Sequence, residues 1–246
     1  MTKAFFSFCV AGILIAVPLM GDWNPSDVVE NRDQLAILKT EHIQNLETEI
    51  FESVKNSWCQ QEKAKLLFEL IVLTQPQVCV EIGAFLGSST LPMLYGLRYN
   101  QSGMAYIVEP WSNDAAICGL PTNDVNTQWW QSLDMEAIKN HFYHIINHYC
   151  VSSYCHVMRM KSEEAVNELP IIDFLQLDGN FSESGALLDS HLYLPKVKSG
   201  GYILISNVLV MINEKPTKMK SLWPLFSECE LISELENGNV LLFRKN

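Results

Sequence analysis

Apolar positions along this chain follow two periods, and the change between them divides it into elements. Over residues 33–58, Leu35, Leu38, Ile43, Leu46, Ile50 and Val54 recur at helical spacing with charges between them, and a second helix, over 62–73, stops ahead of Pro76. The period then shortens. Val78, Cys79, Val80 and Ile82 form a β-branched run with the length of a buried parallel strand, followed by a helix through Leu97 and a polar turn at 99–103. A second strand over 104–108, a loop over 112–131 carrying Trp129 and Trp130, and a helix over 134–149 come next. Strands over 155–160 and 172–177 follow, then a helix from Ser182 to Leu194 that stops at Pro195. The Ser199-Gly200-Gly201 turn launches a strand over 202–205. Residues 230–235 and 239–244 flank an Asn237-Gly238 turn and read as an antiparallel hairpin. Strand alternating with helix predicts an α/β fold on a mostly parallel sheet, with helices on both faces and the hairpin at its end.

The chemistry-bearing residues gather where these strands stop. In an open α/β sheet, ligands bind beyond the carboxyl ends of the strands. Glu81 ends the first strand, Gly83 and Gly87 bracket the turn behind it, and Ser88, Ser89 and Thr90 offer capping hydroxyls for the next helix. The spacing G-x-x-x-G is neither the dinucleotide G-x-G-x-x-G nor the lysine-ended triphosphate loop. No lysine follows Gly87, so the loop suits a ligand that is not a polyphosphate, and the carboxylate before it suits one with positive charge. S-adenosylmethionine, with its ammonium and sulfonium, fits that description. Glu109, closing the second strand before Pro110 and Trp111, stands where a ribose diol is held by two hydrogen bonds. Ser162 and Glu163 follow the third strand at the place for an adenine edge, and Asp178 closes the fourth, with Gly179 and Asn180 behind it.

Charge and composition narrow the partners. The chain has 17 Lys and Arg against 28 Asp and Glu, a formal net charge of −11, with no dense basic cluster, which argues against a nucleic-acid groove. His141, His144 and His148 share a helix face without a carboxylate to complete a ligand set, and Cys150 and Cys155 read as free thiols; no metal site is expected. Residues 4–21 are apolar and uncharged after Lys3, with an acidic flank, the pattern of an export signal or membrane anchor. The organisation expected is an N-terminal signal or anchor over 1–21, a linker and helical cover over 22–61, and the main domain over 62–246. The protein is thus expected at a membrane or exported, its side left open.

These features together resemble the class I S-adenosylmethionine-dependent methyltransferases over residues 62–246. The closest likeness is to bacterial members with an acid-Pro-Trp-Ser run after the second strand (109–112), Asp-Gly-Asn after the fourth (178–180) and a Leu-Pro-Lys run leading to Gly-Gly (194–201). The resemblance implies a Rossmann-like methyltransferase sheet and S-adenosylmethionine as cofactor. It places Glu81, Gly83, Gly87 and Ser88 at the methionine part, Glu109 at the ribose, Ser162 and Glu163 at the adenine, and Asp178 at the methyl group and acceptor as catalytic base, with His191 a distant second. The implied acceptor is an oxygen or nitrogen of a small molecule or glycan.

The departures lie at the reacting end. Relatives often carry a histidine where this chain has Phe181, and one or two aspartates where it has Ser206 and Asn207. In metal-dependent O-methyltransferases a divalent cation between such acids lowers the acceptor hydroxyl's pKa; here one acid is left, so transfer is expected without metal. A membrane-held or exported pseudoenzyme is the alternative these losses raise. The glycine spacing weakens a third reading, an NAD-dependent oxidoreductase.

Overall fold

The computed structural model of the chain describes residues 5–10, 13–18 and 23–246. The strands β1 (Phe5–Val10) and β2 (Ile13–Pro18) pair antiparallel. The predicted anchor over 4–21 therefore lies partly outside the described residues, and its described part is extended: phenylalanine, valine and isoleucine favour strand. No helix among the described residues is long and apolar enough to cross a membrane.

The N-terminal helical region comprises α1 (Arg32–Ile37), α2 (Glu41–Val54) and α3 (Gln61–Thr74). The single helix expected over 33–58 is broken because Thr40 caps α2, its Oγ1 accepting the Ile43 N–H. The first half of the sheet follows as β3 (Val78–Ile82), α4 (Thr90–Asn100), β4 (Met104–Val108), α5 (Asn113–Ile117), α6 (Val125–Ser132), α7 (Met135–His148) and β5 (Cys155–Met158). The stretch read as loop over 112–131 is largely helical, with Ser112 and Asp124 capping α5 and α6. The second half is α8 (Ser162–Ala165), β6 (Ile172–Leu177), α9 (Glu183–Tyr193), β7 (Val197–Ser206), a two-residue pair β8 (Met211–Ile212) and β9 (Lys215–Pro216), α10 (Leu222–Glu228), β10 (Cys229–Leu235) and β11 (Val240–Lys245).

The main sheet has seven strands in the order β10-β11-β7-β6-β3-β4-β5. The strands from β7 to β5 run parallel, while β11 is antiparallel to both β7 and β10. This is the expected Rossmann-like arrangement with its terminal hairpin. The turn expected at 199–201 does not launch a separate strand; β7 runs through it, and its register against β6 shifts between Ile172 and Phe174.

Side chains alternate across the sheet, so each parallel strand feeds two cores. Cys79, Ala105, Ile107, Phe174 and Leu204 pack with α2, α3, α4 and α7, whereas Val80, Ile82, Leu175, Leu177 and Ile203 pack on the opposite face with α9 and α10. Strand order reverses beside β3, between its neighbours β4 and β6, and the carboxyl ends of β3 and β6 open there into a cavity.

Candidate functional site

One half of the cavity is built from backbone and acid. Behind β3 the chain turns through Gly83 at φ +85°, where a Cβ would stand 2.3 Å from the Asp178 carbonyl oxygen. Only glycine lets the β3 and β6 ends approach so closely. Glu109, at the end of β4, accepts the Phe85 N–H at 3.1 Å and the Trp111 N–H at 2.9 Å, and the Trp111 indole donates back to the Phe85 carbonyl at 2.9 Å. The turn after β3 is thereby pinned to the end of β4. Glu109 lines the cavity, and burial lifts its pKa above the ordinary carboxylate value against the N–H bonds from Trp111, Phe85 and Ala84. Ser88, Ser162 and Glu163 line the same cavity.

Two residues expected at the ligand sit elsewhere. Glu81 is fully buried beneath the turn, accepting bonds from Ser89 Oγ at 2.6 Å, Thr90 Oγ1 at 2.5 Å and Gln176 Nε2 at 3.0 Å. The strand's alternation explains this: Glu81 shares the face of Cys79, which α4 covers, and it stands opposite Gln176 of β6. Burial pushes its pKa up to about 7, against the lowering bonds from Ser89 and Thr90. The Ser89 hydroxyl is spent on Glu81, and no side chain caps α4 at Ser89. Gly87 is not among the cavity-lining residues, and at its φ of +86° a Cβ would meet Phe142 of α7 at 2.8 Å.

The other half is cationic. Asp178 lines the cavity at the end of β6, and its Oδ2 accepts from Lys63 Nζ at 3.2 Å. Its Oδ1 takes Asn207 Nδ2 at 2.7 Å and lies 3.5 Å from Lys218 Nζ. Lys63, on the first turn of α3, is 4% exposed and lines the cavity; Lys218 stands behind, donating to the Ser206 carbonyl at 3.0 Å with its ammonium 4.8 Å from the centre of the Phe181 ring. Burial pulls the Lys63 pKa down but its acidic neighbours, Asp178 first, outweigh it, leaving it raised, whereas burial wins at Lys218 and lowers it. Phe181 gives Lys218 an aromatic face.

This donor set does not fit a divalent cation. The carboxylate already lies within 3.5 Å of two ammonium groups, Ser206 and Asn207 are neutral, and no three His, Cys, Asp or Glu side chains among the described residues are placed to hold a metal.

Asp189 on α9, unforeseen in the sequence, also lines the cavity, accepts from Ser162 Oγ at 2.5 Å and is pushed up to about 6 by burial. His191, two residues on, is exposed. Asn180 is structural, its amide donating to the Ala115 and Cys118 carbonyls at 2.9 and 3.0 Å. The mouth is aromatic: Trp58 stacks on Phe85 at 5.1 Å, and Trp130 meets Phe85 at 5.4 Å and Phe181 at 5.8 Å. Trp130 both packs on the core and lines the cavity, while Trp129 stays partly exposed. Cys59, Cys79, Cys118, Cys150, Cys155 and Cys229 are free thiols.

Lys63 and Lys218 carried no sequence signal that singled them out. Lys63 is one of two lysines, with Lys65, ahead of the apolar run of α3, and Lys218 sits between Lys215 and Lys220.

Residues 80–208 match the model of a family described as a methyltransferase domain. No curated protein matches the chain. Among solved structures, a protein provisionally assigned as a caffeoyl-CoA O-methyltransferase from Staphylococcus aureus aligns with a TM-score of 0.57 at 13% identity, covering 88% of this chain and 100% of its own. The O-methyltransferase TomG from Streptomyces achromogenes, involved in tomaymycin synthesis and solved with SAM, aligns at 0.55 with 13% identity and coverage of 88% and 97%. An O-methyltransferase from Bacillus cereus in complex with SAH aligns at 0.53 with 12% identity and coverage of 87% and 97%. At these identities the likeness is one of fold.

Proposed function

The chain belongs to the methyltransferase domain family, and from that premise we propose that it transfers the methyl group of S-adenosylmethionine to an oxygen of a small-molecule acceptor. One observation carries the reading: Glu109, Ser162, Glu163 and Asp178, from three different strand and helix ends, open into one cavity where the strand order reverses. Glu109 is the proposed ribose ligand, Ser162 and Glu163 border the adenine, and Gly83 and Ser88 border the methionine part. The O-methyltransferase relatives in fold favour oxygen over nitrogen as the acceptor atom.

When bound, the cofactor supplies a methyl carbon on a sulfonium, which any well-aligned nucleophile displaces downhill. The residues of this chain have mainly to align the acceptor and exclude water. Asp178 stands at the reacting end; with both oxygens engaged by Lys63, Asn207 and Lys218, its proposed part is to fix Lys63 at the cavity wall.

Calorimetry with S-adenosylhomocysteine tests the cofactor half. Binding is expected, and Glu109→Ala should weaken it by about 1–3 kcal/mol, the cost of losing a charged hydrogen-bond partner. An unmutated protein that does not bind S-adenosylhomocysteine overturns the reading.

A further inference from the structure

Lys63 is a buried ammonium with unused donors. It carries three N–H groups, and its one hydrogen-bond acceptor among the described residues is Asp178 Oδ2. The neighbouring groups cannot supply another. Cys59, on the same wall, is a neutral thiol, its pKa pushed to about 12 by burial. Glu81 is taken up by Ser89, Thr90 and Gln176, and Asp189 by Ser162. Lys218 differs on each point: it bonds a carbonyl, lies over an aromatic ring and is absent from the cavity lining. A cation held at a cavity wall with two donors unspent calls for an anionic or strongly polar oxygen from a ligand.

We propose that Lys63, anchored by Asp178 and backed by Lys218, binds the acceptor's reacting oxygen as an anion and so serves as the site's fixed cation. The proposal rests on the methyltransferase reading and deepens it. The acceptor hydroxyl releases its proton to water as it docks, and the oxygen keeps the electron pair that forms the new bond to the methyl carbon. Lys63 stays protonated and transfers nothing. The aromatic walls from Trp58, Phe85, Trp130 and Phe181 suit an acceptor whose ionised oxygen sits on a flat apolar body. On this proposal the charge of Lys63 takes the part that a divalent cation plays in metal-dependent O-methyltransferases.

The test uses 4-nitrophenolate as the anionic probe, its neutral ether 4-nitroanisole as control, and the full chain with and without S-adenosylhomocysteine. The unmutated protein is expected to prefer the phenolate. In Lys63→Met that preference should fall by about 10-fold or more, the scale of a charge-assisted hydrogen bond. Binding of 4-nitroanisole should not change, and Lys63→Arg should keep the preference. Absence of the preference in the unmutated protein, or its persistence in Lys63→Met, overturns the proposal. So does a Lys63→Met loss confined to S-adenosylhomocysteine and absent for 5′-methylthioadenosine, which lacks the amino-acid tail, because Lys63 would then hold the cofactor's carboxylate. The arms without S-adenosylhomocysteine judge Lys63 even if the cofactor reading fails.

Discussion

The two halves of the cavity are held by opposite means. On the proposed cofactor side a carboxylate, Glu109, accepts the backbone N–H groups of Phe85, in the turn after β3, and of Trp111, so its partners come with the fold. On the proposed reacting side a carboxylate, Asp178, is held by side chains from α3 and from the 207–218 segment, and the surplus is cationic. The family match spans residues 80–208, so Glu109 and Asp178 fall within it while Lys63 and Lys218 fall outside. The two lysines that face Asp178 thus lie outside the matched residues, while the two carboxylates lie within them.

The largest expected effect breaks the cationic half. Asp178→Ala leaves two buried ammonium groups without their anion, which should cost about 3–5 kcal/mol of stability by urea unfolding. Adding Lys63→Met to that variant should recover part of the loss. Equal loss in single and double variants would mean that the pair is not coupled.

Gly83 is the joint between the halves, and Gly83→Ala tests whether they can move apart. The new methyl would meet the Asp178 backbone at 2.3 Å at a φ of +85°, so roughly 2 kcal/mol or more should be lost, with S-adenosylhomocysteine binding weakened as well. A variant as stable as the parent would show that the strand ends yield freely.

Glu81→Gln should give the smallest effect and sharpens the contrast, because it touches the scaffold beneath both halves. The folded-state pKa of Glu81 is about 7 against 4.5 for the free side chain, so the folded state favours the protonated form. That contribution is complete below pH 4.5, is lost as pH rises to about 7, and is flat above. Glu81→Gln should therefore be more stable than the parent at about pH 8, by on the order of 1–2 kcal/mol, and its advantage should vanish near pH 4. Asp189 and Glu69, lifted by burial to about 6 and about 7, have the same sign and keep some slope in both proteins. Identical pH curves would remove Glu81 from this role.

What was legible in the sequence was local. β3, β4 and β6 stand where their apolar runs predicted, and Glu109, Ser162, Glu163 and Asp178 reach one cavity because strand ends converge at the order reversal. Glu81 was placed in the crevice by its position at a strand end, but alternation turns a side chain to one face, and α4 covers that face. Gly87 read as a ligand contact when its missing side chain makes room for Phe142. Lys63 was illegible because its partner lies 115 residues away, and nothing in an isolated helix reports where its first turn will dock.

The aromatic mouth gives the cavity a built-in optical sensor. Three of the six tryptophans, Trp58, Trp129 and Trp130, stand within one contact network with Phe85, and Trp58, 63% exposed, lines the opening. A flat ligand entering there excludes water from the indoles and quenches or shifts their emission. Intrinsic fluorescence can therefore report occupancy without any label, with Trp58→Phe as the variant that dims the signal.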